Sequence, residues 1–193
     1  MIKVGVTGGI GSGKSIVCRV FESLGIPVYY ADLHSRRLVD SEPVIRNKLI
    51  GLFGPDIYNG SALNRPRFAA EIFADPQLLE AANTIIHPWV RKDFDRWVRD
   101  YPDKKYVIEE AAILFESGGN TQVDKCIAVL APIEVRMKRI LKRPGMTPDR
   151  IREIMSNQWP DEKKAALADF VIVNDEKSLI IPQILLIHDQ LTA

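Results

Sequence analysis

Near the start of the chain, Thr7-Gly8-Gly9-Ile10-Gly11-Ser12-Gly13-Lys14-Ser15 joins a run of glycines to a lysine and a hydroxyl in the order G-x-x-x-x-G-K-[ST]. That combination suits a chain of phosphates. Glycines let the backbone curl so that successive N–H groups turn inward, where side chains would obstruct. Lys14 would reach the β- and γ-phosphates, and the Ser15 hydroxyl would ligate Mg²⁺. A helix beginning directly behind the loop would add the partial positive charge of its N-terminus.

Phosphoryl transfer also needs a carboxylate to orient or deprotonate the acceptor oxygen, and cationic groups to neutralise the moving charge. Asp32 is the candidate base; the same residue could instead cap a helix beginning at Leu33. Of the pair Glu109-Glu110, adjacent strand positions face opposite ways, so one at most serves the metal, and Glu110 is favoured. Arg136, Arg139, Arg143, Arg150 and Arg152 bracket Arg143-Pro144-Gly145-Met146, the composition of a flexible lid over a triphosphate, with Arg139 and Arg143 its expected contacts. His87 precedes a proline and lacks Cys or His partners at ligand spacing, which leaves helix entry or substrate contact as its role.

These residues have to be carried to one place. Ile2 to Val6 reads as a strand, and Val17, Val20, Phe21 and Leu24 recur at helical spacing before Gly25. Ile26 to Tyr30 is a second strand, which makes a βαβ unit with both strands parallel. Tyr106 to Glu110, Lys125 to Leu130 and Asp169 to Val173 are three more, so a five-stranded parallel sheet flanked by helices is expected. Its strand ends bring Gly8, Asp32, Glu110, Ala131 and Asn174 to one rim. Between Leu33 and Asp103 the pattern is helical, broken at Gly51 to Gly60, at Asp75-Pro76 and at His87-Pro88, and too long for a simple crossover. Trp89, Phe94 and Trp97 read as helix core. The expected organisation is a nucleotide-binding core (1–56, 104–138 and 166–193), a helical substrate insertion (57–103) and a lid (139–165).

Composition excludes several classes. The 26 basic and 25 acidic residues nearly cancel, so no nucleic-acid or acidic-membrane surface is implied. Cys18 and Cys126, far apart in sequence, read as buried thiols of a reducing, cytoplasmic protein. Neither a secretory leader nor a membrane span is expected. The Asn-Lys-x-Asp of GTP switches is absent, and Glu116-Ser117-Gly118-Gly119-Asn120 only echoes the Leu-Ser-Gly-Gly-Gln of transport ATPases.

Beyond the loop, Ala31-Asp32, Leu63-Asn64-Arg65, Asn83-Thr84-Ile85-Ile86-His87-Pro88, Leu114-Phe115-Glu116, Ala131-Pro132, Ile154-Met155-Ser156-Asn157-Gln158, Glu162-Lys163 and Ala168 to Asn174 occur in order. Together they resemble the dephospho-coenzyme A kinase family over nearly the whole chain. The resemblance implies ATP-dependent phosphorylation of the ribose 3′-hydroxyl of dephospho-coenzyme A, with Mg²⁺. It makes Asp32 the base, Arg139 or Arg143 the lid arginine, Gly8, Gly9, Gly11, Ser12, Gly13, Lys14, Ser15 and Ile16 the nucleotide-binding segment, and Asn174 a neighbour of the adenine. Asn64, Arg65 and His87 join Asp32 on the acceptor side, in a monomer or weak homo-oligomer. Three positions depart from the family pattern: Ile16 where Thr is usual, Glu110-Ala111-Ala112-Ile113 where Asp-x-Pro-Leu is frequent, and Arg136 where Gln is common. Another small-molecule kinase of this fold, for a nucleoside, a nucleotide or shikimate, is the nearest alternative.

Overall fold

The computed structural model describes all 193 residues. In chain order the elements are β1 (Ile2–Thr7), α1 (Lys14–Ser23), β2 (Val28–Tyr30), α2 (Ala31–Ser41), α3 (Pro43–Phe53), β3 (Tyr58–Asn59), β4 (Ala62–Leu63), α4 (Arg65–Ala74) and α5 (Pro76–Val98). There follow β5 (Tyr106–Glu110), β6 (Lys125–Leu130), α6 (Ile133–Leu141), α7 (Pro148–Ser156), α8 (Asp161–Leu167), β7 (Phe170–Val173) and α9 (Ile180–Thr192). No helix is long and apolar enough to cross a membrane.

The expected five-stranded parallel sheet is present, and β1 occupies its middle in the order β2-β5-β1-β6-β7. Strand alternation sends Val4 and Val6 to one face and Gly5 to the other. The first face is closed by Val17, Cys18 and Phe21 of α1 and by Ile184, Ile187 and Leu191 of α9. On the second face, Leu114, Phe115 and Cys126 pack with Trp159 and Ala168. Each large apolar side chain buried this way contributes about 1.5–3 kcal/mol relative to exposure, so β1 is held from both faces and along both edges. The phosphate loop starts where β1 ends.

Contacts divide the chain into two compact units, residues 1–30 with 98–193, and residues 31–97. The helical unit therefore opens at α2 and not at 57, and closes at 97 and not at 103. Its internal bonds explain why. Tyr58 Oη donates to Val39 O at 2.9 Å, and Asp40 accepts from the Leu63 amide at 2.9 Å, which fastens the short β3–β4 hairpin to α2. That hairpin overlaps the end of the break expected at Gly51 to Gly60 and runs on to Leu63; strands of two residues leave no alternation to read.

Two further expectations change. α2 starts at Ala31, so Asp32 sits inside the first turn, where the helix dipole favours an acid, and is not an N-cap for a helix from Leu33. α5 runs unbroken through Pro88. Its buried residues Ala82, Ile86, Val90 and Phe94 continue one stripe across the proline. Burying that stripe offsets the roughly 3 kcal/mol that an interior proline costs. At the head of α7, Thr147 accepts from the Arg150 amide as the N-cap, and Pro148 follows in the first turn.

At the sheet's far edge, Asp169 fastens β7 to β6 by accepting from the Cys126 amide and from Lys125 Nζ, each at 2.8 Å. Burial pushes its carboxyl pKa up, but the bonds from Lys125 and the Cys126 amide outweigh it and hold the group below the ordinary carboxylate range. A depressed acid contributes stability above its unfolded pKa of about 3.9 and loses it as pH falls through the folded value. Asp169→Asn should therefore destabilise the protein at pH 7, by on the order of 1 kcal/mol for a carboxylate one-third exposed. The difference should shrink below about pH 4. Urea unfolding of both proteins at pH 7 and pH 3 checks both the sign and the window.

Candidate active site

The loop between β1 and α1 is built by close approach. A Cβ on Gly9 would run into the Arg136 guanidinium, and one on Gly13 would strike Asn174 Nδ2. Gly13 also takes a φ of 100° as the N-cap of α1, a conformation that only glycine adopts freely. Around this bare backbone stand side chains from distant parts of the chain. Asn174 Nδ2 donates to Ser12 O at 2.8 Å. Arg139 donates from Nη1 to Gly11 O and Ser12 O, each at 3.4 Å, and from Nη2 to the backbone and side-chain oxygens of Asn174, each at 3.2 Å. Arg136 Nε donates to Ile10 O at 2.9 Å, and Gln158 Oε1 accepts from the Ile10 amide at 2.8 Å. Ser12 is buried, and its Oγ has no hydrogen-bond partner.

Lys14 is buried beside the loop, with Nζ donating to Gly8 O at 3.0 Å and lying 3.7 Å from Glu110 Oε1. The parallel register that places Glu110 opposite Val6 brings this acid to the lysine. Glu110, not Glu109, is thus the strand-end acid at the loop. Cys18 lies in the same surroundings, and burial followed by the Glu110 charge pushes its thiol pKa well up. Burial likewise pushes Cys126 up to about 11, with Asp169 and Glu109 adding to it. Both cysteines are free, buried and protonated at neutral pH, as their spacing suggests.

Some of the expected site residues meet at the phosphate loop, and the others stand on their own elements. Gly8 through Ser15 form the loop with Asn174 and Arg139 as its backing, while Ser15 and Ile16 stand exposed at the start of α1. The amide of Asn174 is committed to the loop and to Arg139. Arg143 is exposed, in the turn between α6 and α7. In the helical unit, Asp32 is exposed in the first turn of α2, and Asn64 caps α4 by accepting from the Arg67 amide. Arg65 pairs with Asp40, itself bound to the hairpin. His87 lies in the middle of α5, its pKa lowered by burial and then by Arg91, which keeps the imidazole neutral at pH 7.

Several members were given no role in the loop from sequence. Gln158 and Arg136 grip Ile10 from either side. Lys164, the neighbour of the lysine quoted in the Glu162-Lys163 block, is fully buried; it pairs with Glu116 at 2.9 Å and donates to Ala112 O at 2.9 Å. The Leu-Phe-Glu block was the available signal, because an acid flanked by buried apolar residues calls for a cation. A cavity of about 780 Å³ lies beside the ends of β6 and β7, walled by Leu130, Ile133, Arg136, Met155, Gln158 and Trp159 among others. No loop glycine lines it; it meets the loop only through Arg136 and Gln158.

A backbone cradle with a buried lysine, at the end of the central strand of a parallel sheet, is a phosphate-binding device. The sequence model of the dephospho-CoA kinase family matches residues 2–179. A dephospho-CoA kinase of Porphyromonas gingivalis is 44% identical over 185 residues, covering 95% of this chain and 91% of the relative. Among solved structures, TT1252 from Thermus thermophilus superposes with a TM-score of 0.87 at 30% identity, over 100% of this chain and 98% of that one. A dephospho-CoA kinase from Campylobacter jejuni shares the fold, with a TM-score of 0.70 at 21% identity over 97% and 96% of the two chains. Loop, sheet and matched length agree: the chain belongs to the dephospho-CoA kinase family.

Proposed function

We propose that the chain phosphorylates the ribose 3′-hydroxyl of dephospho-CoA from ATP, with Asp32 as general base and Arg143 as the lid arginine. The observation that carries the reading is the loop itself, with Lys14 buried beside Gly8 O and Glu110, in a chain matched by its family from residue 2 to 179. ATP lies with its β- and γ-phosphates against the loop amides and Lys14. Asp32 takes the proton of the acceptor hydroxyl as that oxygen bonds to the γ-phosphorus. The bond from phosphorus to the β-bridging oxygen breaks, ADP leaves, and the product is CoA.

Support for Asp32 is its place two residues beyond Tyr30, the end of β2, whose register partner is Glu110. It is exposed and held in a helical first turn. Support for Arg143 comes from the contrast with Arg139. Arg139 is bound into the loop's backing, whereas Arg143 is exposed next to Gly145, around whose Cα there is open space. Asn174 then acts through the loop's shape, and Arg65 and His87 are the acceptor-side contacts, with Asn64 fixing the start of α4.

The protein's oxygens near the loop suit Mg²⁺. The Ser15 hydroxyl and the Glu110 carboxylate are hard donors, and no cluster of three acidic, His or Cys side chains forms a cage of its own. An ion that keeps its waters and takes phosphate oxygens needs no more than that. Ser15 would hold it directly and Glu110 through its water shell; when bound it neutralises charge on the β- and γ-oxygens.

Two substitutions test the roles. Asp32→Asn should lower kcat by roughly 10²–10⁴-fold while leaving affinity for a nonhydrolysable ATP analogue within about twofold. A variant with near-parental turnover would remove Asp32 from the chemistry. Arg143→Ala should lower kcat roughly 10³-fold, whereas Arg139→Ala should act mainly on the KM for ATP. Steady-state kinetics with dephospho-CoA, adenosine, AMP and shikimate as separate acceptors resolves these effects and the choice of acceptor together.

A further inference from the structure

The segment between α7 and α8 reaches the phosphate loop through one side chain, Gln158, and is itself anchored twice. Trp159 N donates to Glu116 Oε1 at 2.7 Å, and the same oxygen receives Lys164 Nζ at 2.9 Å. The Trp159 ring stacks parallel to Phe115 at 6.4 Å, with Lys163 Nζ 3.2 Å from its centroid on one face. Lys164 has no exposed surface, so its pairing with Glu116 cannot be traded for water without opening the second face of the sheet. The residue before Trp159 is therefore delivered to a defined position.

From there Gln158 Oε1 takes the Ile10 amide, and Arg136 Nε, steadied by Asp161 at 3.1 Å, holds the Ile10 carbonyl. Both polar groups of Ile10 are thus bound from outside the loop. A curled glycine-rich loop has soft φ/ψ angles on either side of Ile10, and the loop's own restraint there is the bond from the Ser12 amide to Gly9 O at 3.1 Å. A peptide that turned over would direct a carbonyl where the triphosphate needs an amide.

We propose that Gln158 is a positioning residue for phosphoryl transfer: by accepting the Ile10 amide it locks the phosphate loop in its ATP-receiving shape, with the Glu116–Lys164 pair as the fixed support. Gln158 touches neither substrate in this role. It acts on ATP alone, through the loop.

The test compares Gln158→Leu, which keeps the bulk and loses the acceptor, with Gln158→Glu, which keeps an acceptor oxygen at the same reach. In Gln158→Leu the KM for ATP should rise about tenfold, as expected when a half-buried amide loses its partner, with the KM for dephospho-CoA unchanged. Amide hydrogen exchange at Ile10 in the nucleotide-free protein should quicken by a similar factor, while Gln158→Glu retains the parental protection. The proposal is overturned if Gln158→Leu leaves Ile10 exchange and the KM for ATP as they were. It is also overturned if both KM values rise together with a drop in Tm, the mark of general loosening.

Discussion

The packing of a bare backbone against Arg136 and Asn174 is the constraint on which the rest of the site depends. At Gly9 and Gly13 the partner group occupies the space a Cβ would fill, so the loop and its backing are complementary at atomic contact. Apart from the bond from Lys14 to Gly8 O, such a loop gains little stability from side chains of its own. Its shape comes from residues more than a hundred positions away: Arg136, Arg139, Gln158 and Asn174 together bind the polar backbone groups of Ile10, Gly11 and Ser12. Preorganisation of this kind lets main-chain dipoles meet a developing charge without rearranging at the moment of reaction.

Buried charge is used in two ways within the same unit. Lys14, proposed to meet the triphosphate, has Gly8 O and Glu110 beside it, partners that a bound phosphate would replace. Lys164 has Glu116 and Ala112 O as lasting partners and no exposure at all. Desolvating two ions costs several kcal/mol each, so the second pair is poorly explained as a source of stability. It is better explained by geometry, because it fixes the backbone of Trp159 at a point where a hydrophobic contact could slide. One oxygen of Glu116 accepts both Trp159 N and Lys164, while Oε2 is buried with no partner. An imperfectly satisfied carboxylate of this sort is retained for where it puts its neighbours.

The parts of the structure legible in the sequence are those governed by local rules. Glycines 8, 9, 11 and 13, the strand alternation of β1, and Thr147-Pro148 at the head of α7 all declare themselves within a few residues. The parts misread are those where a distant partner decides. Pro88 breaks a helix by its own chemistry, yet the stripe of Ala82, Ile86, Val90 and Phe94 carries α5 through it. The hairpin at Tyr58 to Leu63 is too short for any periodicity and exists because α2 supplies Val39 O and Asp40 as partners. Arginines show the limit most plainly. Arg136, Arg139 and Arg143 share one helix and its end, and nothing in their spacing says that two are bound into the loop's backing while the third is exposed.

The division of the chain bears on how the acceptor is presented. Asp32 belongs to the helical unit, together with Asn64, Arg65 and His87, and not to the unit that holds the phosphate loop. Within that unit α2 is tied to α5, since His34 Nδ1 lies 2.9 Å from Asp93 Oδ2, and Arg37 Nη2 donates to both Asp93 oxygens at 2.8 and 2.7 Å. Asp40, one turn beyond Arg37, binds the hairpin and Arg65. The helix that bears the proposed base is thereby stiffened by the same contacts that order the proposed acceptor residues. Base and acceptor hydroxyl would then be oriented relative to each other inside one compact body, whatever the donor's position. For a reaction whose protein contribution is positioning and charge, the proposed roles would separate two tasks: the loop would shape the phosphate to be moved, and the helical unit would shape the oxygen that receives it.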